Sequence, residues 1–184
     1  MNSGAIASRY AKSFFEFCVE QGEIENVYPN VKHLLDILSS QVKLRELIAD
    51  KTLTHKEKIN LIERVVGEPI TESLKEFITL MIRKGRSDLL LQVLLIFRST
   101  YLKSKNVLDV DLLVAEELNS SVLENIKTRV SDLLGKPCEI SIKVKPELIA
   151  GYTLIVNGKV FDSSVRGQLN TVKKNLLVKK FDNK

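Results

Sequence analysis

The chain has 184 residues, 44% of them hydrophobic, which is enough apolar material for one domain or two small ones with a buried core. Its net charge of +5 suits nucleic acid, an acidic protein partner or an anionic membrane equally, so charge alone does not select a function. Cys18 and Cys138 are far apart and lack disulfide-framework or zinc-site spacing, which favours free thiols in a reducing compartment. The strongest apolar run, "LLLQVLLIF", is far shorter than the roughly 20 residues of a membrane span, so we expect membrane association only through a partner.

The first predicted helix runs from about Ile6 to Gln21. Apolar residues at steps of three and four draw a stripe along it, and the stripe is rich in aromatic side chains, namely Tyr10, Phe14 and Phe17. Such a stripe is typical of a buried core, but on a terminal helix it can also offer a groove to a partner helix. Periodicity does not separate these two interpretations.

Five further helices are predicted by the same spacing in the first half of the chain. Proline fits the first turn of a helix, capping boxes open helices, and glycine in a left-handed conformation ends them. The predicted boundary residues are Pro29 at the start or at a kink of the second helix, the Thr54 and Glu57 capping box, Thr71, Gly85 and Asp88. Because the connections are short, we predict a six-helix bundle over residues 1–105.

From about residue 106 the periodicity changes from 3.6 to 2, which marks the predicted domain boundary. The segment "VLDVDLLV" favours a strand with one buried face, formed by Val110, Leu112 and Val114. A helix, three strands and a last helix follow, so residues 106–184 are predicted to form a small α+β domain. The predicted fold class is therefore mainly α, with a six-helix bundle followed by a small α+β domain.

Finer features of this second half are also predicted. Ser121 with Glu124 is expected to cap its first helix, and Asn157-Gly158 is the preferred pair for a two-residue hairpin turn. Alternation predicts that the second strand buries Ile140, Ile142 and Val144. Helical spacing predicts that the last helix points inward Val165, Leu169, Val172 and Leu176.

The stretch "AGYTLIVNGKVFDSSVRGQL" contains the most suggestive polar groups. A P-loop requires G-x-x-x-x-G-K-[ST] between a strand and a helix, but here Gly151 is one residue too far from Gly158, and Lys159 is followed by a strand. Ser163 and Ser164 are expected to cap the last helix. The spacing therefore argues against a nucleotide site.

Arg166 and the two histidines are the remaining candidates for a binding or catalytic role. Arg166 is in the first turn of the last helix, where its charge opposes the helix dipole, and this suggests an acidic neighbour or an acidic partner group. His33 and His55 are both in the helical half, away from the serines, and no cluster has metal-ligand spacing. We predict no catalytic, cofactor-binding or metal-binding residues, and hence not an enzyme.

The pattern of these residues resembles the delta subunit of F-type ATP synthase, the oligomycin-sensitivity-conferring protein of mitochondria. The most specific part is a glycine, a hairpin and a strand ending in Asp-x-Ser before the last helix, matched by Gly151, Asp162, Ser164, Arg166 and Leu169. The opening "ASRYAKSFFEF" is similar to the family's start, and "RKGRSDLL" to the segment between its fifth and sixth helices. Two departures are Ala150, where many members have a second glycine, and Lys145, where many have Asp.

The resemblance implies a stator subunit without an active site or cofactor. In the family, the N-terminal domain holds the N-terminal helix of an alpha subunit of the catalytic head between its first and fifth helices. By position, the contacts here are expected to be Tyr10, Ser13, Phe14, Phe17, Phe77, Leu80 and Lys84. The C-terminal domain binds the peripheral-stalk b subunits, with Gly151, Asp162, Ser164 and Arg166 in partner-binding or structural roles.

The resemblance also implies one copy per complex, on the cytoplasmic face of the bacterial cell membrane, with no membrane insertion and no nucleic acid. The competing hypothesis is a basic helical RNA-binding protein. Its binding is expected to weaken steeply with salt, whereas a helix held in an apolar groove is much less salt-sensitive.

Overall fold

The computed structural model describes residues 3–67, 69–156 and 159–181. The chain splits into two compact units, Met1–Tyr101 and Leu102–Lys184. Helices dominate the described residues, and the only strands among them belong to a small four-stranded sheet in the second unit. The predicted fold class is confirmed at this level, as a mostly helical chain with a small sheet.

Six α-helices lie in chain order before the first strand. Their bounds are α1 Ser3–Glu20, α2 Ile24–Ser40, α3 Val42–Ala49, α4 His55–Val66, α5 Glu72–Arg83 and α6 Leu90–Ser104. A short 3-10 helix, Ser87–Leu89, precedes α6. The predicted start of the sixth helix at Asp88 is therefore wrong by two residues, because this tighter turn comes first.

The boundaries of these helices follow from local chemistry. The capping box is confirmed, since the Thr54 amide donates to Glu57 Oε2 at 2.7 Å and the Glu57 amide donates to Thr54 Oγ1 at 3.4 Å. Pro29 lies inside α2 rather than at its start. Thr71 occupies the N-cap of α5 but its side chain makes no capping bond; instead its amide donates to Asn30 Oδ1 at 2.9 Å. Gly85, at φ 63°, ends that helical segment as predicted.

The core of the first unit is built around aromatic rings. Phe14 of α1 stacks on Phe77 of α5 with ring centres 4.1 Å apart, and its ring centre is 5.0 Å from that of Phe97 on α6. A second stack joins Tyr28 and Tyr101 at 3.7 Å. These ring contacts hold α1, α2, α5 and α6 together through large, mainly apolar side chains.

A buried polar contact closes the region around α3 and α4. The Lys58 ammonium is buried and donates to the Ser87 hydroxyl at 3.3 Å, and that hydroxyl donates to the Ile48 carbonyl at 2.7 Å. Each polar group therefore has a partner, as burial requires. The contact fixes the 3-10 helix against the end of α3.

The second unit contains β1 Leu108–Val114, α7 Ser120–Leu134, β2 Cys138–Val144, β3 Tyr152–Val156, β4 Lys159–Asp162 and α8 Val165–Phe181. The predicted order of strand, helix, three strands and helix is confirmed. The sheet order is β2-β1-β3-β4, with β1 parallel to β2 and antiparallel to β3, and with β3 antiparallel to β4. The buried side of β1 is confirmed as Val110, Leu112 and Val114.

Several finer predictions in this unit are wrong or fall outside the described residues. Asn119, not Ser121, caps α7, because its side chain accepts from the Val122 amide at 3.0 Å. Val144, Leu169 and Val172 are exposed, because no described element covers the end of β2 or that side of α8. Asn157-Gly158 and the side chain of Leu176 lie outside the described residues.

Replacing Thr54 by Ala tests the capping box. We expect the free energy of unfolding of the first unit to fall by about 1 kcal/mol, because the Glu57 amide at the start of α4 loses its acceptor and the Glu57 carboxylate loses the Thr54 hydroxyl. Urea denaturation followed by circular dichroism measures the change. Lys56→Ala, at an exposed position of the same turn, is the control, and an equal loss in both variants would contradict the role of the cap.

Candidate functional site

A groove of about 950 Å³ lies between α1 and α5 in the first unit. The two helices run antiparallel, as three contacts show. Arg86, just after α5, lies over the ring of Tyr10 at 5.4 Å, and Phe14 stacks on Phe77. The Ser73 hydroxyl, near the start of α5, donates to a carboxylate oxygen of Glu23, just after α1. Later residues of α1 thus meet earlier residues of α5. The groove follows the shared length of these helices.

The floor and the rim of this groove differ in exposure. Phe14 and Phe77 are buried and form the apolar floor, while Phe17 and Leu80 remain exposed beside them. Large apolar side chains left exposed next to a concave apolar surface are typical of a protein-binding site. A concave surface of this kind can accept the apolar side of a helix.

Six of the seven residues expected at the alpha-subunit site line this one groove. They are Tyr10, Ser13, Phe14, Phe17, Phe77 and Leu80. Lys84, the seventh, is exposed just after the end of α5 and is not among the lining residues. The structure thus brings the predicted set together on one surface, apart from this lysine.

Sequence reasoning missed the charged residues of the groove. Arg9, Arg83 and Arg86 line it, as do Glu72 and Glu76. The signal was present in part, because Arg9 precedes Tyr10 and both Glu76 and Arg83 are three or four residues from groove positions on α5. Charged residues at such spacing occur on every solvated helix face, so only the fold assigns them to a groove.

In the second unit, Asp162 and Ser164 form a hydrogen-bonded joint between β4 and α8. Asp162 Oδ1 accepts from the Ser164 amide at 2.9 Å and from Thr153 Oγ1 at 3.2 Å. The buried Ser164 hydroxyl accepts from the Gly167 amide at 3.0 Å, which caps α8. Hydrogen bonding to Asp162 from the Ser164 side chain and the Ser164 amide, with a smaller contribution from Thr153, holds the pKa of Asp162 below its usual range.

Gly151 completes this joint through its lack of a side chain. It has φ +82°, and a Cβ there would stand 2.5 Å from the Ser163 carbonyl oxygen. The residue before Gly151 is held in place by Val165, whose amide donates to the Ala150 carbonyl at 3.0 Å. The geometry gives Gly151, Asp162 and Ser164 structural roles.

Arg166 is not explained by a carboxylate in the described part of the unit. Its guanidinium donates only a long bond, 3.4 Å, to the carbonyl oxygen of Glu147. The side chain is exposed. Within the described part of the unit, a backbone carbonyl therefore takes the place of the expected acidic neighbour.

A second groove, of about 920 Å³, lies on the sheet of the second unit. Residues that pair across the sheet and share one face include Leu112, Leu154 and Phe161. Helix α7 packs against β2 and contributes Ile126 and Val130 to the groove wall, while the β3 and β4 side of this face carries exposed apolar groups. The exposed lining residues of large apolar type are Ile149, Tyr152 and Phe161.

A comparison with protein families covers both units of the chain. The family model for the ATP synthase delta (OSCP) subunit matches residues 6–176, which includes both grooves and the joint at Asp162. The chain belongs to the ATP synthase delta (OSCP) subunit family. The resemblance on which the sequence analysis relied is thereby confirmed.

Curated relatives and a solved structure cover nearly the whole chain. ATP synthase subunit delta of Streptococcus equi subsp. zooepidemicus is 31% identical over 173 residues, 94% of this chain and 96% of the relative. That of Caulobacter vibrioides is 29% identical over 169 residues, 90% of each chain. A chain in the cryo-EM structure of Toxoplasma gondii mitochondrial ATP synthase hexamer shares the fold, with a TM-score of 0.67 at 15% identity, covering 93% of this chain and 97% of that one.

Membership in the delta family makes the chain a structural, non-catalytic subunit of ATP synthase, which confirms the expectation that it is not an enzyme. It also selects ATP synthase over the RNA-binding hypothesis. Among the described residues, no cluster of His, Cys, Asp and Glu can hold a metal ion. No helix in that part of the chain is long and apolar enough to cross a membrane.

The contacts and burial of His33 and Cys18 indicate structural rather than catalytic roles. His33 Nε2 lies 3.1 Å from the Val66 carbonyl at the end of α4. Cys18 is buried in α1, and burial, with a smaller effect of Glu23, raises the pKa of its thiol to about 12. A thiol with such a pKa stays protonated and is a poor nucleophile.

Asp162→Asn tests the joint in the delta subunit through pH. The folded pKa of Asp162 is lowered, so its ionised form stabilises the fold above the unfolded pKa near ~4, and this contribution is lost as pH falls through the folded pKa. We expect the variant to melt at a lower temperature than the wild type at pH 7. The difference should shrink toward pH 3.

Thermal melts at the two pH values measure this effect. Asp132→Asn, at an exposed position of α7, is the control. A difference between Asp162→Asn and wild type that stays constant from pH 7 to pH 3 would contradict the role of the charge.

Proposed function

We propose that this delta subunit is a stator component that connects the catalytic head of ATP synthase to the peripheral stalk, so that the head does not turn with the rotor. In this proposal α1 to α6 act as a six-helix bundle on the head, and the second unit binds the stalk. Domain limits of 1–105 and 106–184 separate the two roles. The observation that carries the proposal is the pair of apolar grooves, one in each unit.

The proposed occupant of the first groove is the N-terminal helix of an alpha subunit. The support is the match between the family's binding position and a real concavity, lined by six of the seven expected residues. Burial of exposed apolar groups such as Phe17 and Leu80 supplies the driving force, at roughly 25 cal/mol per Å² before ordering costs. A helix fits because α1 and α5 run side by side and present ridges along a common direction.

Leu80→Asp tests this site. We expect the affinity for the N-terminal peptide of an alpha subunit from the same organism to fall by about 2 kcal/mol or more, roughly 30-fold, because the apolar contact of Leu80 is lost and a carboxylate would have to give up its water on burial. Calorimetric titration of the full chain measures it. Leu47→Asp is the matched control, since Leu47 on α3 is 44% exposed against 43% for Leu80 but lies outside the groove.

Two outcomes would count against this assignment in different ways. Equal affinity of Leu80→Asp and wild type would refute the groove as the binding site. Absence of binding by the wild-type chain at micromolar peptide would refute the alpha-subunit attachment itself.

The proposed occupant of the second groove is the end of the peripheral-stalk b subunits. The support is that Ile149, Tyr152 and Phe161 expose apolar surface beside a concave part of the sheet that α7 leaves open. Arg166 lies at the start of α8, and its exposed guanidinium suits an acidic group of the same partner. The joint at Asp162 and Ser164 then acts on binding indirectly, by fixing where α8 leaves the sheet.

Phe161→Ser tests the second site. We expect binding of the C-terminal segment of b to weaken about tenfold or more, because the apolar contact of the ring is lost. The matched control is Val160→Ser on the same strand, since Val160 is 61% exposed and Phe161 55%, but adjacent strand residues point to opposite faces. Equal weakening by both variants, measured by calorimetry, would contradict the assignment of this face.

The remaining parts of the proposal concern the assembly. One copy of the subunit per complex is proposed, held at the cytoplasmic face of a bacterial cell membrane through its partners. Neither attachment requires a cofactor, nucleic acid or insertion into the membrane. Attachment through apolar grooves requires no cluster of titratable side chains, because the binding surfaces are apolar faces of helices and strands.

A further inference from the structure

The charges along the first groove are separated by sign. Arg9, Arg83 and Arg86 line the end where α1 begins and α5 ends, and Glu72 and Glu76 line the end where α5 begins. Glu72 and Arg83 are eleven residues apart on one helix, which corresponds to roughly 16 Å at 1.5 Å per residue. This is longer than the ~8 to 10 Å over which salt screens exposed charges at physiological ionic strength, whereas Glu76, seven residues from Arg83, is separated from it by roughly that screening length. The outermost charges of the two ends therefore act separately.

The contacts made by the lining residues do not neutralise this separation of charge. Lys75 is the one cation among the lining residues near the acidic end, and it is salt-bridged to Glu63 at 2.8 Å. At the other end, Arg86 rests on the ring of Tyr10, which leaves its charge uncancelled, and no carboxylate pairs with Arg9 or Arg83 in the described part of the chain. One end is therefore basic and the other acidic.

An apolar floor cannot by itself choose the direction of a bound helix. The stacked rings of Phe14 and Phe77 gain the same burial from a helix lying in either direction, because apolar contact depends on area and is not directional. Charges at the two ends penalise the wrong arrangement by placing like charges together. The direction must therefore be set by the polar groups at the ends.

We propose that the groove is a charge-polarised socket that accepts an amphipathic helix in one direction, with the acidic residues of that helix beside Arg9, Arg83 and Arg86 and its basic groups beside Glu72 and Glu76. This inference rests on the proposed function of the groove. It goes beyond it by naming the residues that determine orientation and the charge pattern required of the partner. Lys84, which is outside the lining, has no part in it.

Charge reversal in the full chain tests the socket, with the alpha-subunit N-terminal peptide as the probe. Arg83→Glu is expected to weaken binding at least tenfold in 50 mM salt and less in 500 mM salt, because screening reduces the unfavourable contact. Lys43→Glu, at an exposed position of α3 outside the groove, changes the net charge equally and is expected to alter the affinity less than twofold. Glu76→Lys is expected to weaken binding, with Glu46→Lys on α3 as its control.

The direction itself is read with a nitroxide on one end of the peptide or the other. A label at the more acidic end is expected to broaden amide NMR signals around Arg83 and Gly85, and a label at the opposite end those around Glu72. The reverse pattern would overturn the inference, as would equal losses for Arg83→Glu and Lys43→Glu, and the proposed function would stand in both cases. Failure of the wild-type chain to bind the peptide would overturn both.

Discussion

The stacked pair Phe14 and Phe77 is the contact on which the first unit depends. It holds α1, at the start of the chain, against α5, although more than sixty residues separate the two rings in the sequence, and Phe97 joins α6 to the same cluster. One side of the stack faces the core and the other forms the floor of the groove. The same rings therefore stabilise the helices and create the apolar surface that a partner can use, which is why core and binding-site interpretations of the α1 stripe could not be separated from periodicity.

The second unit depends in a similar way on the joint between β4 and α8. Asp162 and Ser164 satisfy backbone donors where β4 passes into α8, and a side chain at residue 151 would collide with the Ser163 carbonyl. The stretch that resembled a catalytic site thus uses its polar groups to make a rigid connection. A joint made from short local hydrogen bonds has few alternative conformations, and this keeps the exposed apolar groups of the sheet in a fixed arrangement.

Much of this architecture could be predicted from the sequence because its causes are local. The Thr54 and Glu57 box, the Gly85 stop and the alternation of Val110, Leu112 and Val114 depend on neighbours within a few residues. Predictions about long-range environment were weaker: Leu169 and Val172 have helical spacing but are exposed in the described part of the unit, and Lys84 follows α5 but is not among the lining residues of the groove. The charged rim formed by Arg9 and Arg83 was missed, because its members come together only when two distant helices pack antiparallel.

The proposed role, holding the head against rotation, requires two kinds of interaction in the groove: one that supplies affinity and one that fixes the alignment of the bound helix. Apolar burial provides affinity that salt changes little, but it tolerates sliding and reversal of the bound helix. Charges of opposite sign at the two ends of a groove, such as Arg83 and Glu76, add little affinity at an exposed surface and yet penalise every misaligned arrangement. In the proposed stator role, a sideways load would disturb the alignment of the bound helix before it broke the apolar contact, so the rim charges matter to that role as much as the floor does. The separation of these roles between Phe14 and Phe77 below and the charged residues above allows affinity and direction to be adjusted independently.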